Sequence, residues 1–470
     1  MESDKELPQM PSEAAMEPKK LQYSRRLCNC LFMAKATIAF ALGVGFLSLI
    51  AFWISQQYMD EQKLIMAETK GHGRKCQTLS YAQLGRLEGP IGNAYVGFSL
   101  AIDGFSVQNL PVQPSIVNFA VTMTDSDFQQ DSILSAAQSI AADKSKRPAM
   151  LLSIRPQAVK PAEALLFKLA QLVRVINNDL QLPVFLRFGY DMNTPWMPYG
   201  FNAVGYKQSF VTLASYVRNQ TNMTAMVWSP RIGTEYPFTG YFADPGSGIP
   251  ASPNDLRFDG LDTNGDGRVN ALDDPYSPYY PGDEWVDWVG LSVFQTTLAT
   301  GTQQTIESSP NALTDRSLLT SISAQGIDEF YLKYTANKPF MLAETGSPYL
   351  AQQQSDAGIT DAAAIRIKQT WVQAAFNLLA TAGQTADNSQ TFSRVKAIVF
   401  RNDVVSATDA QQAGLVDTQD IHASGATRDF RLTSGDMGQS LTQIVNANQN
   451  RLIHMDKVTF QCNGALRISQ

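Results

Sequence analysis

The chain has 470 residues, of which 44% are hydrophobic and 17% charged, and its formal net charge is −6. This length suits one large barrel with attachments, and the composition allows a sizeable hydrophobic core. The mild acidity argues against a nucleic-acid-binding surface. The three histidines are far apart in the sequence, which argues against a histidine-based metal site.

Residues 1–35 are polar and rich in proline and charge, which predicts a disordered cytosolic tail. An uncharged apolar run of about 19 residues follows, from Ala36 to Ile54, and roughly matches the thickness of a bilayer core. We predict a transmembrane helix over 36–56 and a linker over 57–89. Basic residues precede the run while Asp60 and Glu61 follow it, which predicts a single-pass type II membrane protein with an extracellular or lumenal ectodomain. The alternative is a cleaved signal peptide, which typically has a shorter apolar core nearer the N-terminus.

Cysteine usage agrees with export of the larger part. Cys76 and Cys462 flank that part, and an oxidising compartment favours a disulfide between them. Cys28 and Cys30 lie at the cytosolic edge of the apolar run, where they are either palmitoylated or simply reduced. Two adjacent sequons predict N-glycosylation. Their acceptors are Asn219 and Asn222.

Eight apolar runs alternate with helical patterns from about residue 90 onward, which predicts an α/β fold: a parallel, closed (β/α)8 TIM barrel over 90–435. A C-terminal helix and tail over 436–470 would close it. The predicted strands are Tyr95–Leu100, Ile116–Val121, Met150–Ile154, Val184–Leu186, Ala225–Trp228, Trp285–Val293, Phe340–Ala343 and Ala397–Phe400. The clearest helical patterns are Leu165–Ile176, Leu313–Tyr334 and Ala362–Ala382.

A predicted insertion over 255–282 contains a twelve-residue calcium-type loop. Oxygen ligands fall at loop positions 1, 3, 5, 7, 9 and 12, and Gly267 occupies position 6, where a sharp turn is needed. The candidate ligands are Asp262, Asn264, Asp266, the Arg268 carbonyl, Asn270 and Asp273. The pattern predicts one structural Ca²⁺, and a metal-free turn is the alternative.

Polar residues follow the fourth predicted strand at once. Arg187, Asp191 and Asn193 come within a few residues of its end, and Trp196 lies just beyond them. Residues at the carboxyl ends of barrel strands face the active-site mouth. A carboxylate, an arginine, an amide and an aromatic ring there suit a carbohydrate subsite, although a polar loop over a buried tryptophan would show the same pattern.

A second carboxylate, Glu344, ends the seventh predicted strand. Strands four and seven lie across a barrel mouth from one another, so Asp191 and Glu344 can flank one bond. Hydrolysis of a glycosidic bond usually takes two such carboxylates. The pair therefore predicts a glycosidase-like cleft.

The chain resembles family 26 glycoside hydrolases, a group of β-mannanases and related β-glucanases with a (β/α)8 barrel. The resemblance covers roughly residues 90–435 and is carried by Arg187–Gly200, Met226–Arg231 with Tyr236–Phe238, Tyr279–Phe294 and Met341–Gly346. The calcium-type loop followed by Tyr-Pro-Gly-Asp resembles a eukaryotic branch of that family. The resemblance implies a retaining mechanism with Asp191 as acid/base and Glu344 as nucleophile. Its implied substrate-binding residues are Arg187, Tyr190, Asn193, Trp196, Trp228 and Phe294.

The sequence departs from the family at the predicted chemistry. Tyr190 and Asp191 stand where the family has His and Glu, Phe294 replaces a common Tyr, and Arg231 replaces a common Asn. Asp is one methylene shorter than Glu, and a misplacement of about 1 Å can lower a rate about 100-fold. We therefore expect a membrane-anchored glycoside hydrolase acting on a β-linked polysaccharide such as mannan or β-glucan. The alternatives are a degenerate domain that binds polysaccharide without cutting it, and an unrelated adhesive or structural role.

Overall fold

A computed structural model describes most of the region from residue 85 onward, and residues 79–470 form one compact unit. The described residues are 85–90, 92–100, 110–142, 147–158, 160–194, 197–233, 260–269, 272–294, 330–351, 362–380, 393–405, 427–460 and 466–468. Within these ranges no helix is both long and apolar enough to cross a membrane. The predicted transmembrane helix over Ala36 to Ile54 lies outside them.

Eight parallel strands close into a barrel, which confirms the predicted barrel topology. The barrel closes because its first strand (Tyr95–Ser99) pairs in parallel with both the second (Ile116–Met123) and the last (Val395–Arg401). In barrel order the strands are β1 (Tyr95–Ser99), β2 (Ile116–Met123), β3 (Ala149–Pro156), β4 (Val184–Phe188), β5 (Thr224–Trp228), β6 (Trp288–Phe294), β7 (Phe340–Gly346) and β9 (Val395–Arg401).

Short antiparallel strands lie outside the barrel. The first set is β8 (Tyr349–Ala351), β10 (Val404–Val405) and β11 (Thr427–Asp429), with β11 in the middle. The second is β12 (Val458–Phe460) paired with β13 (Leu466–Ile468). The first set follows β7 and β9 directly, so it extends the carboxyl-end side of the barrel.

The described helices alternate with the barrel strands. In chain order they are α1 (Gln130–Ala141), α2 (Glu163–Asp179), α3 (Ala203–Gln220), α4 (Phe330–Thr335), α5 (Ala362–Ala380) and α6 (Gly435–Ala447). In α2 the buried positions Leu165, Leu169, Val173 and Ile176 recur at helical spacing and form one apolar face. The Asn202 side chain caps α3 by accepting a hydrogen bond of 2.7 Å from the Gly205 amide. The part of the predicted helix Leu313–Tyr334 that precedes Phe330 lies outside the described residues.

Aromatic side chains fill the amino end of the barrel interior. The Tyr95 and Phe185 rings pack edge to face at 5.2 Å between centroids, and the Phe185 and Trp288 rings at 4.9 Å. This geometry favours the electrostatics of both ring pairs. Because large rings occupy this end, the barrel is a packed core and polar chemistry is left to the opposite mouth.

Residues before β1 close the amino end of the barrel. Leu87 is fully buried, its carbonyl accepts a hydrogen bond from the Tyr95 hydroxyl at 3.0 Å, and the Arg86 carbonyl accepts one from the Trp288 indole at 2.7 Å. Residues 86 and 87, at the end of the predicted linker over 57–89, therefore pack against the barrel. Leu87 belongs to the folded unit because it fills the amino end of the barrel. The apolar periodicity of the sequence does not reveal a single residue of this kind.

Candidate active site

Arg187 lies near the end of β4 and is fully buried at the carboxyl-end mouth of the barrel. Its Nε donates to Ser229 Oγ at 3.0 Å, and its Nη1 contacts Glu344 Oε2 at 3.2 Å. Its Nη2 contacts Asp191 Oδ1 at 3.4 Å and donates to Ser292 Oγ at 2.5 Å. Burying a guanidinium costs free energy unless the group is ion-paired and hydrogen-bonded. These four partners come from the turn after β4, the end of β5, and strands β6 and β7. We refer to these five residues as the Arg187 cluster.

Asp191 occupies a tight turn after β4. Its φ of 54° lies in the left-handed region, and its amide donates to the Ser229 carbonyl at 2.9 Å. The preceding Gly189 also has a positive φ, and a Cβ there would lie 2.7 Å from the Tyr206 ring. Gly189 is therefore required for the turn that directs the Asp191 side chain back over β4.

The environment of Asp191 favours its protonated form. Burial raises the pKa of the Asp191 carboxyl, while the positive charges of Arg187 and Arg231 act in the opposite direction. Burial is the larger influence, so the pKa remains raised. A carboxylic acid with a raised pKa is the property that a general acid requires.

Glu344 lies on β7 on the far side of Arg187. It pairs with Arg187 at 3.2 Å and with Arg401, at the end of β9, at 3.5 Å. A bulge between Leu291 and Ser292 shifts the β6–β7 register so that Ser292 faces Glu344. Both carboxylates contact the same guanidinium, Asp191 Oδ1 at 3.4 Å and Glu344 Oε2 at 3.2 Å, so they form a neighbouring pair of the kind that glycosidases use.

Tyr190 covers one face of the Arg187 guanidinium, with the Arg187 Cζ atom 4.4 Å from the ring centroid. Burial and the nearby charge of Glu344 raise the pKa of the Tyr190 phenol to about 12, so this side chain is neutral at physiological pH. The Tyr199 hydroxyl donates to the Tyr190 carbonyl at 2.8 Å and helps to hold the turn.

The other predicted substrate-binding residues fall in different places. Asn193 is nearly buried, and its amide group both donates to and accepts from the backbone of Arg231, so it holds the loop after β5. Phe294 ends β6 near Arg231, whose Cζ lies 5.5 Å from the ring centroid. Trp196 lies outside the described residues.

Trp228 requires a correction. It is fully buried, stacks against Phe330 at 6.0 Å and donates from its indole nitrogen to the Tyr279 carbonyl at 3.1 Å. Alternate residues of a barrel strand face opposite sides, and Trp228 faces the helices. Its side chain therefore supports the wall behind the mouth and does not line the mouth.

The predicted calcium loop is folded compactly. The Asp262 carboxylate accepts hydrogen bonds from the Gly265, Asp266 and Gly267 amides, and Gly267 has the expected left-handed backbone, with φ of 80°. Asp273, at the other end, accepts from the Thr263 amide at 2.7 Å. The described residues contain no group of three or more His, Cys, Asp or Glu side chains that could hold a metal ion. Asn270 lies outside the described residues, so the predicted ligand set is only partly described.

Only some of the remaining predicted modification sites lie within the described residues. Asn219 near the end of α3 and Asn222 in the following turn are exposed, as glycan acceptors must be. Cys76 and Cys462 lie outside the described residues, as do Cys28 and Cys30. The disulfide and the palmitoylation remain predictions.

Sequence reasoning missed four side chains around the carboxylates. Arg401 is the last residue of the last barrel strand, so the strand-end rule that selected Asp191 and Glu344 could also have selected it. Arg231 had been noted only as a departure from the family. Ser229 and Ser292 are common residues without a distinctive pattern, and only the structure shows that both hydroxyls contact Arg187.

No family model matches this chain, and no curated protein matches it. Among solved structures, the chain is similar to a Cellulomonas fimi endo-β-1,4-mannanase double mutant, with 14% identity, 78% of this chain and 74% of that chain covered, and a TM-score of 0.44. A GH26 endo-β-1,4-mannanase catalytic domain from Bacillus sp. JAMB-750 has 14% identity, 77% and 88% coverage, and a TM-score of 0.42. Scores at this level do not assign a family or an activity, so the fold rests on the strand topology described above.

Proposed function

We propose that the protein is a glycoside hydrolase that cleaves a β-linked polysaccharide, such as mannan or a β-glucan, by a retaining mechanism. The observation that carries the proposal is that Asp191 and Glu344 contact the same buried Arg187 at the barrel mouth. The two carboxyl groups differ in their surroundings, since Asp191 is buried in a way that raises its pKa whereas Glu344 pairs with two arginines. Different surroundings are how two carboxyl groups acquire different roles.

In the proposed reaction Glu344 attacks the anomeric carbon while Asp191 donates its proton to the leaving glycosidic oxygen. This gives a covalent glycosyl-enzyme and a free chain end. Asp191, now a carboxylate, then removes a proton from water, which attacks the anomeric carbon and releases Glu344. Arg187 contacts both carboxylates throughout and so maintains their relative positions.

Binding of polysaccharide without hydrolysis is the second candidate, and one observation favours it. Asp191 Oδ1 accepts a hydrogen bond from Ser292 at 2.5 Å and also contacts Arg187, and both interactions stabilise the ionised carboxylate. Both interactions oppose the effect of burial and so reduce the tendency of Asp191 to hold the proton that a general acid donates. The shorter Asp side chain acts in the same direction.

A hydrolysis screen separates the two candidates. We expect the full-length protein to release reducing ends from mannan, mixed-linkage glucan or xylan, and Glu344→Ala to lower that rate about 10⁴-fold or more because it removes the nucleophile. Binding of the same polysaccharide by both proteins, with no hydrolysis by either, would support the non-hydrolytic candidate. Hydrolysis that survives in Glu344→Ala would contradict the proposed site.

We also propose a structural Ca²⁺ in the loop over residues 262–273. Its support is the compact turn at Gly267 and the oxygen-rich ligand pattern of Asp262, Asp266 and Asp273. Loss of a bound ligand lowers stability, by about 2.7 kcal/mol if the ion had been present at 100 times its Kd. We therefore expect chelation to lower the melting temperature of the wild type but not of Asp266→Ala, with the exposed Asp131→Ala as a control that retains the response. An identical response in Asp266→Ala would contradict the site.

A further inference from the structure

Ser292 belongs to the Arg187 cluster and contacts both Arg187 and Asp191. It is fully buried on β6, immediately after the Leu291/Ser292 register shift that brings it opposite Glu344. Along β6, Leu291 and Val293 pack in the core outside the barrel and Trp288 in the interior core, so regular alternation turns Ser292 inward. This inward position places a small hydroxyl between the guanidinium and the Asp191 carboxyl.

The hydrogen-bond directions at Ser292 follow from the chemistry of its partners. A guanidinium only donates, so Arg187 Nη2 donates to Ser292 Oγ at 2.5 Å. The single hydroxyl proton of Ser292 is then donated to Asp191 Oδ1, also at 2.5 Å. Since Oδ1 is occupied as an acceptor, a proton carried by Asp191 resides on Oδ2.

We propose that Ser292 is a positioning residue for Asp191, which fixes the carboxyl rotamer and directs the transferable proton to Oδ2. This inference rests on the proposed hydrolase function for its role in turnover. The arrangement Arg187–Ser292–Asp191 itself is independent of any substrate.

The hydrogen bond from Ser292 also influences the proton affinity of Asp191. Its burial raises the pKa, and the Ser292 hydrogen bond lowers it because it stabilises the charged form. The charged and titratable groups that face Asp191 are Arg187 from β4, Arg231 after β5, Glu344 from β7, and Tyr190 and Tyr199 in its own loop. Removing the hydroxyl leaves these groups in place, so the pKa of Asp191 should rise.

Ser229 provides a matched control. It is also fully buried at a strand end and accepts from Arg187 Nε at 3.0 Å. In the described part of the chain its hydroxyl has no contact with the Asp191 carboxyl, and its carbonyl bond to the Asp191 amide does not depend on the side chain. Ser229→Ala thus perturbs Arg187 to a similar extent but leaves the Asp191 oxygens alone.

The test is a pH titration of Asp191 by difference infrared spectroscopy on the full-length protein, with its carboxylic acid band assigned by its loss in Asp191→Asn. We expect Ser292→Ala to raise the proton affinity of Asp191 about tenfold, as loss of one hydrogen bond to a charged group implies, and Ser229→Ala to change it much less. An unchanged titration in Ser292→Ala, or equal shifts in both variants, would overturn the proposal.

Two additions keep the result interpretable. If Ser292→Ala does not fold, Ser292→Cys keeps the volume with a weaker donor and should give a smaller shift in the same direction; no shift in that folded variant would also overturn the proposal. If the wild type hydrolyses a polysaccharide, the alkaline limb of its rate profile should move to higher pH in Ser292→Ala. A wild type that shows the infrared shift but no hydrolysis would leave the Ser292 inference standing and remove the proposed function.

Discussion

Replacing Asp191 by Asn should lower hydrolysis of polysaccharide about 10³-fold while largely sparing the first step on activated aryl glycosides. The sugar oxygen of a polysaccharide is a poor leaving group and needs the proton that Asp191 holds, whereas an activated phenol leaves without it. General acid catalysis typically contributes about 10²- to 10⁴-fold. The measurement is the ratio of the two rates for each protein, with pre-steady-state release of the phenol reporting the first step.

The pH dependence of the hydrolysis rate gives a second test of the role of Asp191 as the acid. Because burial raises the pKa of Asp191, the active protonated form persists to higher pH than an exposed aspartate would allow. Activity should be lost as pH rises through that pKa, and Asp191→Asn should lack this alkaline limb on aryl substrates. Asp131→Asn, on the exposed first turn of α1, should behave as wild type. Equal losses on both substrate types in Asp191→Asn would show that Asp191 is not the acid.

Gly97→Ala should lower the free energy of unfolding by about 3 kcal/mol, because overpacking at this site cannot relax through a side chain. Gly97 pairs with Ile116 in the β1–β2 ladder, and a Cβ at Gly97 would lie 1.6 Å from the Ile116 carbonyl oxygen. The obstacle is backbone, so the two strands would have to separate. Urea titration followed by tryptophan fluorescence measures the change.

Gly92→Asn is the control for Gly97→Ala. Gly92 is exposed, has a φ of 86°, and nothing lies within 4 Å of a Cβ there. Asn tolerates a left-handed backbone better than most residues, so this variant should lose no more than about 1 kcal/mol. If Gly97→Ala were as stable as this control, close strand contact would not be the reason for the glycine.

The barrel could be predicted from sequence because each strand is a short apolar run and the runs alternate with helical periodicity. Boundaries were less predictable: β6 begins at Trp288, whereas the apolar pattern began at Trp285, which lies in a turn. The small sheet of β8, β10 and β11 was missed, since strands of two or three residues carry too little alternation to register.

The candidate site was predicted in part. The strand-end rule brought Asp191 and Glu344 to the same mouth, and the structure joins them through Arg187. The sequence could not show that Trp228 faces outward, because the inward and outward residues of a fully buried strand are both apolar. Nor could the sequence reveal the role of Ser292, because serine is a common residue and its contacts with Arg187 and Asp191 are made only in the folded barrel.

The left-handed backbone at Asp191 bears on how this position can change. Asp and Asn adopt a φ near 54° more readily than other residues with a side chain, whereas Glu has no short polar group to bond the local backbone. Asp191→Glu, which would lengthen the acidic side chain by one methylene, therefore adds strain on the order of 1 kcal/mol to the turn. A change in the length of the acidic side chain at position 191 therefore also changes the strain in the turn. A directed-evolution library that varies residues 189–192 jointly can lengthen the acid and relax the turn in one step, which a library restricted to position 191 cannot do.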